Sequence, residues 1–120
     1  MDWRNMLRVH DLLALRANWD AQQPVKGTGE EIDHTPVVKL FNPVGAATWL
    51  LTEVDEDGVA FGLADLGFGS PELGYIDLNE LAEIRLLGGH VRIEQDLCFV
   101  GSKPLSAYAA EARATGSIQA

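Results

Sequence analysis

The sequence predicts an α+β fold: a curled, mainly antiparallel sheet of four to five strands carrying about three helices, packed mostly on one face. Three observations lead there. Residues 1–23 repeat apolar positions at helical spacing, Pro36 to Leu66 holds three strand-like runs divided by turn chemistry, and helical patterning returns after Leu78. The pivot is Ala64 to Leu78, A-D-L-G-F-G-S-P-E-L-G-Y-I-D-L, whose glycines and proline turn the backbone while large side chains on either side seek a core.

The first helix reads from Asp2, its cap, to about Gln22. Trp3, Met6, Leu7, Val9, His10, Leu13, Ala14 and Ala17 fall on one broad face, which is expected to be buried, with His10 hydrogen-bonded inside it. A second stripe, Leu12, Leu15 and Trp19 at i, i+3 and i+7, points elsewhere with arginines beside it. Either another part of the chain or another molecule must cover it, and the expectation is self-association as a homodimer. Residues 24–35 carry Pro24, Gly27 and Gly29 with no hydrophobic period and read as a flexible loop. Its Glu30, Glu31, Asp33 and His34 are metal-ligand types, but a flexible segment does not fix them, so no metal is expected.

Pro36 to Asn42 and Thr48 to Val54 are rich in β-branched and aromatic residues and form a hairpin across N-P-V-G-A-A. Asp55 to Gly58 turns the chain into Val59 to Leu66, with Gly62 marking a bend or a close approach. Gly67, Gly69, Pro71 and Gly74 make the following turn, and Tyr75 and Ile76 begin a fourth strand. D-L-N-E from Asp77 opens a helix running through Leu86 toward Gly88 and Gly89. Val91 and Ile93, then Leu97 and Phe99, read as a last strand or pair bent at Gln95 and Asp96, which makes Cys98 a small buried hydrophobe. Pro104 opens the final helix, with Leu105, Tyr108, Ala109 and Ala112 on one face and Gly116 stopping it.

One hundred and twenty residues make one domain, able to bury roughly two-thirds of its unfolded surface. No run approaches the roughly 18 apolar residues of a membrane span, and the charged start is unlike a signal peptide, so a cytoplasmic protein with no membrane role is expected. The net charge of −9 is uneven: residues 36–84 hold one Lys and nine Asp/Glu, against four Lys/Arg and six acids in 1–35 and four and three in 85–120. A negative field repels phosphate backbones, which excludes direct nucleic-acid binding and leaves solubility or a basic protein partner as its use.

Motifs for chemistry fail on spacing. From Asp55, the twelfth position of a calcium loop is Leu66 rather than glutamate. Gly67, Gly69 and Gly74 do not make G-x-G-x-x-G, whose third glycine would replace Glu72. Ser70 lies in F-G-S-P-E, where Pro71 forbids the helix a nucleophile elbow launches. No catalytic residue and no cofactor is expected. An alternative is a small-molecule binder or hydrolytic enzyme using a pocket around Asp65, Glu72 and Tyr75.

The runs T-P-V-V-K-L-F-N-P, A-T-W-L-L-T-E, F-G-L-A-D-L-G-F-G-S-P-E-L-G-Y-I-D-L-N-E-L, I-E-Q-D-L-C-F and K-P-L-S-A-Y-A-A-E-A-R together resemble the bacterial domain-of-unknown-function family numbered 2958, over Thr35 to about Arg113. Members of that family are small proteins mostly of plasmids and integrative mobile elements, often near antirestriction and conjugation genes, and no catalytic residue is assigned to them. The resemblance implies an accessory protein of mobile DNA. Joined to the charge, it leads us to expect a non-enzymatic protein that binds another protein, itself basic or nucleic-acid-binding, through acidic surface at Glu53, Asp55, Glu56, Asp57, Asp65 and Glu72.

Overall fold

The computed structural model describes residues 1–120. Five strands, β1 (Val38–Phe41), β2 (Thr48–Val54), β3 (Val59–Asp65), β4 (Glu72–Asp77) and β5 (Glu94–Gln95), form one antiparallel sheet in the order β4-β3-β2-β1-β5. The hairpin and the meander follow the sequence pattern, because their turns are local chemistry. Asp55 closes the β2–β3 turn by accepting from Asp57 N and Val59 N at 2.8 and 2.9 Å.

Both faces of the sheet are covered, which is why β2 reads as a nearly continuous apolar run. Trp49, Leu51 and Val54 with Ala60 and Ile76 form the larger core, and Leu50 and Leu63 point the other way. Three helices, α1 (Val9–Gln22), α2 (Leu78–Glu83) and α3 (Leu105–Thr115), share these faces. The larger core takes Leu15 of α1, Leu78 and Leu81 of α2, and Trp3 and Met6 from a 3-10 turn. Helix α3 covers Leu50 and Leu63 through the expected Leu105, Tyr108, Ala109 and Ala112, with Phe99 and Ile118 packed beside it. Two of the three helices thus share one face with the 3-10 turn, and α3 lies on the other.

Helix α1 departs from its sequence reading. Leu7 and Arg8 are extended, so Trp3–Met6 and α1 are separate pieces out of helical phase. Trp3, Met6 and Leu7 are buried as expected, but Val9, His10 and Leu13 face solvent. The buried side is the one carrying Asp11, Leu15 and Gln22. Strand β1 pairs only with Thr48–Leu51, and α1 packs along the remainder of β2, where Asn18 Nδ2 donates to Thr52 O at 3.0 Å. Leu15 is fully buried, Leu12 packs on the core and Trp19 is half-buried against Tyr75. The stripe expected to join two chains is covered from within.

The remaining corrections have local causes. Gly67 (φ 89°) and Gly69 (φ 81°) hold the β3–β4 turn, while Gly74 lies inside β4 opposite Gly62, and Pro71 is buried just before the strand. Gly62 makes the close approach: a Cβ there would sit 1.9 Å from Leu50 O, beside the register shift between Leu51 and Glu53. Helix α2 ends at Glu83, because Ile84 turns extended and Leu86 forms a bridge with Val91 across Gly88 and Gly89. After β5 the chain turns at Asp96, whose Oδ1 accepts from Cys98 N at 2.9 Å, so Leu97 and Cys98 are exposed instead of forming a strand.

Candidate functional site

Gln22 ends α1 and begins the site. Its amide oxygen accepts from Ile32 N at 2.9 Å, and its Nε2 donates to Ile32 O at 2.8 Å and to Glu53 Oε2 at 3.2 Å. One side chain thus closes the loop expected to be flexible and ties it to the sheet. Farther along, Asp33 accepts from Ser106 N at 3.1 Å and from the Ser106 hydroxyl, fastening the loop to the start of α3. Beneath the loop is a pocket of about 280 Å³. Phe61, Leu73, Tyr75 and Leu105 supply its apolar wall, and Lys26, His34 and Glu53 its polar groups.

Glu53 is the deepest of these, with 5% of its surface exposed. Burial raises its carboxyl above the ordinary glutamate value, outweighing the lowering by the Gln22 hydrogen bond and by the charges of His34 and Lys26. Its Oε1 accepts no hydrogen bond from the protein. In the same wall, His34 Nε2 is shielded from solvent without a hydrogen-bond partner. At the mouth, Lys26 Nζ lies 4.9 Å from the Tyr75 ring centre and 5.5 Å from that of Trp19. Tyr75 makes edge contacts with Phe61 and Trp19, at 5.4 and 6.4 Å between ring centres. Tyr75 foremost, then the charges of Glu53 and Glu31, hold the Lys26 ammonium above its ordinary value.

The six acids expected to form one surface are dispersed. Glu53 points into the pocket, and the Asp55 carboxylate is folded back on its own turn. Asp65 is buried, accepting from Gly67 N and Ile118 N at 2.9 Å each, and so fastens the β3–β4 turn and the end of the chain. Glu72 is exposed opposite Ala64, on the other side of β4 from Tyr75. A pocket of Asp65, Glu72 and Tyr75 therefore does not form, and of the three only Tyr75 lines the pocket beneath the loop. Glu56 and Asp57 remain at the surface, where Asn79 Nδ2 donates to Asp57 O at 2.8 Å and Leu78 N to Gly58 O at 2.9 Å. Those bonds bring the β2–β3 turn against the start of α2, adding Asp77 and Glu80 to the same end.

Sequence reasoning missed Gln22, Lys26, His34 and Phe61 as parts of one site. The available signal was Lys26 itself, the single cation between Arg16 and Lys39 in a stretch holding Asp20, Glu30, Glu31 and Asp33.

No helix is long and apolar enough to cross a membrane. No curated protein and no solved structure matches the chain. A family model described as a protein of unknown function (DUF2958) matches residues 7–119. The match takes in α1 and the loop after it, segments outside the likeness visible in the strand motifs, so Gln22 and Lys26 lie within the family's extent. The chain belongs to the DUF2958 family.

Proposed function

We propose that this is a non-enzymatic accessory protein of mobile DNA that binds a basic protein partner through its acid-rich end, countering a host defence protein or modulating a DNA-processing one. The mobile-DNA setting is what the family resemblance implies. The observation that carries the binding reading is the set Glu56, Asp57, Asp77 and Glu80, none of which pairs with a lysine or arginine of the chain. Met1 and Arg4, brought beside α2 by the Trp3–Met6 turn, are engaged by Glu83 and Asp2, and Arg85, the cation nearest in sequence, donates to Ala82 O and Ile84 O. Uncompensated like charges at one end create a field that steers a basic surface, and the same field repels nucleic acid. The partner's contact is with protein, not with a phosphate backbone or a membrane. With Leu12, Leu15 and Trp19 turned inward, this reading calls for no second copy.

The test is affinity capture followed by association kinetics with the captured protein. Glu56→Gln with Asp57→Asn and Glu80→Gln is expected to slow association at low salt and flatten its salt dependence. Association unchanged at low salt would show that these acids serve solubility alone.

A further inference from the structure

We propose that the pocket beneath the 24–35 loop binds a small organic cation, an amine or guanidinium. Its charge would pair with Glu53 and its carbon frame would lie against Phe61, Leu73, Tyr75 and Leu105. This goes beyond the acidic-end reading and does not rest on it.

Glu53 is the first reason. The residue is 95% buried and its carboxylate has one protein donor, the Gln22 amide on Oε2, which leaves Oε1 as an open acceptor in the pocket lining for a ligand's N–H. The second reason is charge. Glu31, Asp33 and Glu53 line the pocket against Lys26 and His34, so the carboxylates outnumber the basic groups and the lining favours a cation over an anion. The third is that the mouth already holds an ammonium, since Lys26 Nζ lies over the faces of both Tyr75 and Trp19. Lys26 therefore acts as an internal competitor for these ring faces. The volume of about 280 Å³ lies at the small end of ligand pockets, which suits a compact aliphatic cation.

The probes are agmatine, a wholly neutral urea analogue in which a hydroxyl also replaces the amine (4-hydroxybutylurea), and acetyl-arginine amide, titrated by calorimetry with amide shifts read at Gln22, Glu53 and Tyr75. Agmatine is expected to bind saturably, and Glu53→Gln to weaken it about tenfold or more, the scale of one lost charge-assisted hydrogen bond. Lys26→Met should tighten it by removing the competitor, an effect a purely structural lysine would not give. Affinity should rise with pH as the Glu53 carboxyl ionises. Tighter binding of acetyl-arginine amide than of agmatine assigns the cation to an arginine side chain of a partner, and the reverse order assigns it to a free amine. The absence of saturable binding, urea binding equal to agmatine, or unchanged affinity in Glu53→Gln would each overturn the proposal. The urea comparison uses the unaltered protein and so stands whether or not a variant folds.

Discussion

The Gln22 amide and the Glu53 carboxylate meet at 3.2 Å although 31 positions separate them, and this contact joins the end of α1 to the bulged half of β2. Glu53 keeps its inward position because β2 slips register after Leu51, so that Glu53 stands opposite Phe61 and Val54 opposite Ala60. The same Gln22 side chain fixes Ile32 through two backbone bonds. One amide thus holds the loop and the buried carboxylate together at the pocket.

Replacing Gln22 by leucine should test that link. The change leaves Ile32 N, Ile32 O and Glu53 Oε2 without a partner, at a cost of about 1–3 kcal/mol in urea denaturation. Amide hydrogen exchange should quicken across 26–34 and stay unchanged in α3. Equal exchange across 26–34 in the variant and the unaltered protein would mean the loop is held by something other than Gln22.

Two glycines that face each other across β3 and β4 should respond oppositely. Gly62→Ala drives a Cβ into Leu50 O, a backbone atom that cannot rotate away, and should lose at least about 1–3 kcal/mol. Gly74→Ala meets nothing within 4 Å and has ordinary strand geometry, so it should be neutral within about 0.5 kcal/mol or slightly stabilising. Equal melting temperatures for the two variants would contradict the register.

Glu53 gives stability a pH dependence of definite sign. Burial holds its folded carboxyl above the ordinary 4.5, so between 4.5 and the raised value the folded chain binds more protons than the unfolded one. Stability from this group is therefore full at low pH and falls as pH rises through that window. Glu53→Gln keeps the acceptor for Gln22 and never ionises. Its stability minus that of the unaltered protein should grow upward from pH 4.5 and level off above the raised value, as read by denaturation at stepped pH. A difference independent of pH would show that Glu53 titrates normally.

The strands β1 to β3 and helix α3 were legible because each is written in short-range chemistry. Strand β2 ends where Asp55 makes its turn, and α3 ends where Gly116 adopts φ 90°. Helix α1 was not legible in the same way. Its broad apolar face and its Leu12, Leu15 and Trp19 side are both hydrophobic enough to bury, and the extended pair Leu7 and Arg8 breaks the helical phase between the Trp3–Met6 turn and α1. Cys98 failed for a related reason, since its apolar neighbours suit a strand but Asp96 supplies a turn.

By itself, then, the sequence determined the α+β class, the hairpin and meander, the final helix, the acidic balance of residues 36–84 and the family. The tertiary structure decided which side of α1 is inside, that α3 lies across the sheet from the other helices, and that Gln22, Lys26, His34, Glu53, Phe61 and Tyr75 share one pocket. The physical reason is range. Turn and cap residues act on backbone angles within a few positions, whereas burial and charge pairing are set by whichever distant segment comes to lie against a side chain. For Glu53 that segment is α1, admitted because β1 stops at the partner of Thr48–Leu51 and leaves the rest of β2 for the helix to cover.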